Sequence, residues 1–259
     1  MSSATLELSP DLAKAMLSYL LALADDEMLL GHRDAEWTGL GPILEEDIAF
    51  SSMAQDELGH ARIWYQLRQS LGAEDPDRQA FLRDAPDWRN ARLLELERGD
   101  YAVSLVRQYL VDLAEQVRLR ALLGCPWVPL AEAAAKLLQE EKYHLLHGHA
   151  YLGRLSASSD LARARLQAAL DLLWPYALGL WEAPEGEAAL VAAGLLPGSA
   201  ELAPLWHEAV QLRFGEAGLR LPQAAEPVHG GRRGEHGPEL TALLAAMQGL
   251  YRSDPGAEW

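Results

Sequence analysis

The chain has 259 residues, of which 49% are apolar, which is enough for one large domain with a substantial core and not typical of a disordered chain. Its net charge of −16, from 22 basic and 38 acidic side chains, argues against general binding to nucleic acids or membrane surfaces. The single cysteine, Cys125, excludes an intramolecular disulfide and a cysteine-based metal site. Residues 1–8 lack a secretory pattern, and no apolar run approaches the roughly 18 residues of a membrane helix, so a cytoplasmic protein is expected.

Helical periodicity dominates the first part of the chain. Ser9-Pro10-Asp11 is a typical helix start, with serine as the cap and proline at the first position. Further long helices are predicted over about 43–70, 100–123 and 128–155, because apolar residues alternate there by three and four positions. The connection over 72–88 has the length of a crossover between two helix pairs and space for one short helix.

The remainder of the chain predicts a helical extension. Helices are expected over about 156–180, 202–215 and 239–251, with a short helix after the loop at 184–186 and a long loop over 221–238. No strand-like alternation is long enough to predict a sheet, so the expected fold class is all-α. The prediction is one domain over 1–259, with a four-helix core at about 9–155 and an extension at about 156–259.

Two Glu-x-x-His pairs interrupt otherwise apolar stripes, Glu57–His60 on the second helix and Glu141–His144 on the fourth. This spacing puts both side chains on one helix face, and buried carboxylates and imidazoles are costly unless something pairs or binds them. The motif alone is weak. A third copy, Glu226–His229, lies in a proline-containing loop and is interpreted as coincidence.

Carboxylates on the first and third helices give the two pairs a context. Glu27 precedes Glu57 by 30 residues and Asp112 precedes Glu141 by 29, the near-symmetry that two helical hairpins need to bring side chains to one height. Glu115 is the alternative to Asp112 but breaks this match. The predicted metal ligands are Glu27, Glu57, His60, Asp112, Glu141 and His144. Such a set is typical of di-iron or di-manganese four-helix bundles, although a metal-free polar network of the same residues is the alternative.

The neighbours of these ligands have predicted roles as well. Asp56 and Glu140 are expected to hydrogen-bond outward or to the ligating imidazoles. The loop Gly230-Gly231-Arg232-Arg233-Gly234 is the one compact basic feature of an acidic chain. Its glycines let backbone amides approach an anion, and its arginines can fork onto phosphates, so Arg232 and Arg233 are candidates for binding a phosphate or an acidic partner. A solvated loop is the alternative.

At these residues the chain resembles the ferritin-like subunits of the bacterial phenylacetyl-CoA epoxidase complex. The segment Gln55-Asp56-Glu57-Leu58-Gly59-His60, the Glu140–His144 motif and Glu27 resemble the catalytic A-type chain of that complex. The resemblance to its C-type chain is carried by the total length and by motifs spread over the rest of the sequence: Arg107–Asp112, Lys142–Leu145, the glycine-arginine loop, His236-Gly237-Pro238, Met247-Gln248 and the ending Pro255–Trp259.

The resemblance implies a ferritin-like bundle with additional C-terminal helices, in a multicomponent monooxygenase of phenylacetate catabolism. That enzyme uses O2 and electrons from a separate reductase to epoxidise the ring of phenylacetyl-CoA. The implied role is mainly structural, as assembly partner of the catalytic A-type chain, with a small B-type chain and the reductase as further partners and a homodimer as another arrangement. No catalytic residue is assigned, and whether the chain is itself an enzyme is left open.

The resemblance also bears on the metal. Known C-type chains lack several ligands, whereas this chain keeps all six, so two iron ions, or manganese in their place, are expected if the site is intact and none if it is vestigial. The alternative functions are an autonomous di-iron oxygenase or oxidase that activates O2, and a ferroxidase-like iron-binding protein.

Overall fold

The computed structural model describes residues 7–257, so Glu258 and Trp259 of the C-terminal motif lie outside the described residues. In chain order the α-helices are α1 (Pro10–Ala35), α2 (Leu44–Ser70), α3 (Pro76–Phe81), α4 (Tyr101–Leu122), α5 (Val128–Ser158), α6 (Asp160–Leu178), α7 (Glu187–Ala192), α8 (Ser199–Glu216) and α9 (Pro238–Ser253). Over this range there is no strand, which confirms the predicted all-α class. Within the same residues, no helix combines the length and apolarity that crossing a bilayer requires.

The long helices begin where the sequence predicts. Ser9 caps α1 by accepting a hydrogen bond from the backbone nitrogen of Leu12, and Pro10 takes the first helical position. The boundary between α5 and α6 lies a few residues later than predicted, because α5 continues to Ser158. Ser159 then caps α6 through a hydrogen bond of 3.1 Å from the nitrogen of Ala162.

The four long helices form two hairpins. Helix α1 packs along α2, and α4 packs along α5. Close approach of α1 to α2 depends on Gly31, since a Cβ atom there would lie 3.0 Å from the Cβ of Glu57 and from the carbonyl oxygen of Ala54. The two hairpins meet partly through α2 and α5, the helices that carry the Glu-x-x-His pairs.

The C-terminal helices pack on the bundle. Helices α6 and α8 lie against α4, α7 lies against α1, and α9 lies against α3. Trp206 of α8 donates its indole N–H to the carbonyl of Leu110 at 3.0 Å and stacks on Trp174 of α6 with ring centroids 5.4 Å apart. These aromatic rings join the same hydrophobic core as the apolar residues of α1 and α4. The extension therefore shares the core of the bundle.

Candidate metal centre

The structure brings all six predicted ligands into the interior of the bundle. Each is at most 2% exposed, although aspartate and glutamate are almost never fully buried unless something pairs with them. Helices α1 and α4 contribute one carboxylate each, while α2 and α5 contribute a Glu-x-x-His pair each. The near-equal spacing along the two hairpins thus does place the four helical contributions at one height.

Two groups of ligand atoms form the centre. Glu27, Glu57 and His60 each offer an atom within 4.8 Å of the others, and so do Glu57, Asp112 and His144. In the first group, Nδ1 of His60 lies 3.5 Å from Oε2 of Glu57 and 3.8 Å from Oε2 of Glu27. Glu57 belongs to both groups, so its carboxylate lies beside both sets of ligand atoms.

The second glutamate of the motifs also lies between the two histidines. Oε1 of Glu141 is 3.6 Å from Nδ1 of His60 and 3.4 Å from Nδ1 of His144. Glu57 has the equivalent relation, with Oε1 3.3 Å from Nδ1 of His144. Both imidazoles therefore direct Nδ1 towards the same two carboxylates, and the ring centroids are 6.1 Å apart.

Unpartnered atoms show what this arrangement can accept. Buried polar atoms normally find a hydrogen-bond partner, and those that do not call for an explanation. All six residues carry at least one buried atom without one: both carboxylate oxygens of Glu27, one oxygen each of Glu57, Asp112 and Glu141, and Nδ1 of His60 and His144. Oxygen and imidazole donors without thiolate suit iron or manganese. The residues present therefore fit a pair of such ions.

The outer nitrogen of each imidazole is held by a carboxylate from the opposite motif. Nε2 of His60 lies 2.9 Å from Oε2 of Glu140, and Nε2 of His144 lies 3.3 Å from Oδ2 of Asp56. Because a carboxylate only accepts, each Nε2 donates, and in the neutral ring this leaves the lone pair on Nδ1, facing inward. Asp56 and Glu140 thus hydrogen-bond to the imidazoles, one of the two roles expected for them.

Gln108 is a component of the centre that the sequence reasoning missed. Its side-chain nitrogen donates to Oε1 of Glu57 and to Oδ1 of Asp112, at 2.8 Å in both cases. The residue is 1% exposed and lies one helical turn before Asp112 on α4. The sequence does carry a signal for this role, because Gln108 lies four residues before Asp112 and residues four apart share a helix face.

Charge is unevenly distributed over the carboxylates when no metal is bound. Burial and the neighbouring Glu57 charge raise the pKa of Glu27 well above its usual range, and burial and repulsion by Glu141 do the same to the pKa of Asp112. Burial also acts to raise the pKa of Glu57, but its close polar contacts with Glu27 and the two histidines outweigh burial and lower that pKa well below the usual range. Ligand protons must therefore leave when a metal enters.

The imidazoles shift in the opposite direction. Burial disfavours the cation, yet the facing carboxylates of Glu27 and Glu57 raise the pKa of His60 to about 12. For His144 burial is likewise outweighed, first by the hydrogen bond with Asp56, and its pKa rises further. In the metal-free chain, the two imidazolium ions therefore balance part of the buried carboxylate charge.

Glu115, the alternative third-helix ligand, has a protein partner. It forms a buried ion pair with Arg118 of the same helix, and it belongs to neither group of clustered ligand atoms. His147 lies one turn beyond His144, and its Nε2 lies 2.9 Å from Oε2 of Glu46. Both residues thus have contacts apart from the centre.

The glycine-arginine loop binds an anion, but the anion belongs to the chain itself. The backbone nitrogen of Gly230 donates to Oε2 of Glu182 at 2.7 Å, and Arg233 pairs with the other oxygen of the same carboxylate. Arg232 is 4% exposed and forms a two-bonded ion pair with Asp26 of α1, at 2.9 and 2.5 Å. The interpretation of Arg232 as a phosphate ligand therefore needs correction, because its guanidinium is buried and occupied. Arg233 is half-exposed, but both of its charged partners are carboxylates of the chain.

An all-helical bundle with two Glu-x-x-His pairs and two further carboxylates at a buried centre belongs to the ferritin-like class. Residues 1–259 match the model of the family described as phenylacetic acid catabolic protein, and the chain belongs to that family. It is 33% identical to the C component of the Escherichia coli K12 1,2-phenylacetyl-CoA epoxidase over 245 residues, covering 94% of this chain and 99% of that protein. It is 26% identical to the A component of the same enzyme over 141 residues, 54% of this chain and 45% of the relative. The family resemblance inferred from the motifs is confirmed.

Proposed function

We propose that this chain is a C-type component of a phenylacetyl-CoA epoxidase in phenylacetate catabolism, with a metal centre of its own. Its main role is to assemble with the catalytic ferritin-like A-type chain, in a cytoplasmic complex that also contains a small B-type chain and a reductase. The observation that carries this proposal is the similarity to the C component of the Escherichia coli enzyme along 94% of the chain. The match includes the C-terminal extension, which a minimal four-helix bundle does not need.

The alternatives are less well supported. An autonomous oxygenase and a ferroxidase-like protein would both use the buried centre, but neither accounts for similarity that continues over 99% of one component of a larger enzyme. The identity to the A component is lower and covers about half of this chain. The comparisons therefore favour the role of a component in a complex.

The centre itself is proposed to hold two iron ions, with manganese as the alternative. Glu27 and His60 would bind one ion, Asp112 and His144 the other, and Glu57 and Glu141 would bridge them. Bound iron at such a centre supplies the capacity to activate O2. The chain's own contribution is to orient Nδ1 of both imidazoles inward through Asp56 and Glu140, and to exclude water by burying all six ligands.

The metal content of the chain purified with iron tests the centre. About two equivalents are expected, and Glu141→Gln should lower that number because it removes a bridging charge. Glu132→Gln is a matched control, since Glu132 is an exposed residue of the same helix. An iron-free wild type would refute the metal part of the proposal. Failure to co-purify with a co-expressed A-type chain would refute the assembly part independently.

A further inference from the structure

Three consecutive acidic residues of α1 are buried and serve three different parts of the molecule. Asp25, Asp26 and Glu27 are exposed by 0%, 3% and 2%. Asp25 pairs with Arg83 of the connection after α3, Asp26 pairs with Arg232 of the C-terminal loop, and Glu27 enters the metal centre. One helical turn of α1 therefore contacts the connection after α3 and the C-terminal loop, and it also carries Glu27.

The pair between Asp26 and Arg232 is built with several additional contacts. The Arg232 guanidinium also donates to the carbonyl of Ala22 at 3.1 Å and to the carbonyl of Arg89 at 2.7 Å. Asp26 in turn accepts a hydrogen bond of 2.7 Å from the backbone nitrogen of Ala91. Arg232 thus holds two successive turns of α1 and ties them to the connection between α3 and α4.

The loop is shaped to deliver this side chain. Gly231 lies so close to the carbonyl oxygen of Asn90 that any Cβ atom would overlap it. Gly230 has a φ of 118°, in the region that favours glycine, and its nitrogen is fixed by Glu182. The glycines allow the loop to lie directly on the connection, and from there Arg232 reaches α1.

Glu27 depends on this support more than Glu57 and Asp112 do. Among the described residues, no group donates a hydrogen bond to either of its oxygens, and Nδ1 of His60, at 3.8 Å from Oε2, is too far away to do so. Asp112 and Glu57, by contrast, are both held by Gln108 at 2.8 Å. The position of the Glu27 carboxylate is therefore determined mainly by the placement and rotation of the α1 backbone.

We propose that Arg232 is a positioning residue for the metal centre, which acts through Asp26 to fix α1 and thereby the carboxylate of Glu27. The proposal rests on the ligand role of Glu27 given under "Proposed function". Lysine at position 232 keeps the charge but cannot make the planar, two-bonded contact with a carboxylate. The Glu27 side of the centre should therefore respond to Arg232→Lys, while the Asp112 side should not.

Crystal structures of the metal-free wild type, Arg232→Lys and Arg233→Lys test the positioning directly. In Arg232→Lys, the Glu27 carboxylate is expected to move by more than about 0.5 Å, the tolerance of a functional site, while Asp112 stays in place. Arg233→Lys is the control, because Arg233 lies in the same loop and pairs with Glu182 instead. An unmoved Glu27, or an equal displacement of Glu27 and Asp112, would overturn the proposal.

Metal titration provides the second readout. Arg232→Lys is expected to weaken one of two binding sites for Mn²⁺ by about 10–100-fold, with the other unchanged and Arg233→Lys like wild type. Equal weakening of both sites would mean general loosening and would overturn the proposal. Asp26→Asn, which breaks the pair from the other side, gives the same test if Arg232→Lys does not fold. A wild type that binds no Mn²⁺ or iron refutes the ligand assignment, and the crystal structures then still decide the positioning.

Discussion

His60 and Glu140 meet across the bundle, with Nε2 and Oε2 2.9 Å apart, although each belongs to a different Glu-x-x-His helix. His144 and Asp56 repeat the relation in the opposite direction at 3.3 Å. Each motif therefore contributes side chains to the candidate centre and also orients the imidazole of the other motif. The two helices have to be in register before either imidazole is correctly oriented.

Removal of one outer carboxylate should weaken metal binding and leave folding intact. Glu140→Ala is expected to reduce Mn²⁺ or Fe²⁺ affinity by about 10–100-fold, because Nε2 of His60 loses the acceptor that fixes its orientation. The side chain of Glu140 is 39% exposed, so the melting temperature of the metal-free chain should change little. Competition titration against a chelator measures the affinity. Glu132→Ala on the same helix is the control, and equal affinities of the two variants would contradict the proposed orienting role.

The Gln108 amide should also be needed for tight metal binding, because it holds the carboxylates of Glu57 and Asp112. Gln108→Leu removes the donor shared by Glu57 and Asp112, so the two carboxylates are no longer held in fixed positions before the metal arrives. Metal affinity is expected to fall by about 10-fold or more. The same competition titration checks this result. Gln116→Leu, on the same helix but facing a surface pocket, should bind metal as wild type does.

Burial of Asp112 should make the metal-free chain less stable at neutral pH than in mild acid. The pKa of Asp112 in the folded chain is raised well above its usual value by burial and by repulsion from Glu141. A carboxyl group with a raised folded pKa favours folding in acid, and this contribution is lost as the pH rises from its unfolded value through its folded value. Asp112→Asn should therefore stabilise the chelator-treated chain, by an amount that grows as the pH rises above about 4, the usual pKa of an aspartate.

Thermal unfolding of the metal-free proteins across this pH range measures the effect. Asp171→Asn, at an exposed position of α6, is the control and should show no comparable growth. The iron content of Asp112→Asn should fall at the same time, since a charged ligand is lost. A variant whose gain in stability does not increase with pH would show that Asp112 is not strained by its burial.

The sequence predicts local and periodic features of this molecule well, and long-range pairs poorly. Glu27 and Asp112 could be placed because helix geometry converts the spacing to Glu57 and Glu141 into height along the bundle. Arg232 could not, because its partner Asp26 lies 206 residues away and no periodicity relates them. The loop composition predicted a phosphate or an acidic partner, whereas the fold shows that the loop contacts carboxylates of the same chain.

The packing of α5 against α4 should be sensitive to substitution of Gly148. The Tyr109 ring of α4 lies directly against this glycine, and an added Cβ atom would overlap the ring. Gly148→Ala is therefore expected to destabilise the chain by about 1–3 kcal/mol, the typical cost of overpacking a core. Gly153→Ala on the same helix meets no atom within 4 Å and should instead stabilise it by about 0.5–1 kcal/mol, since alanine favours helix. Urea unfolding of the two variants measures both changes. If both variants were destabilised, contact with Tyr109 would not be the cause of the loss at position 148.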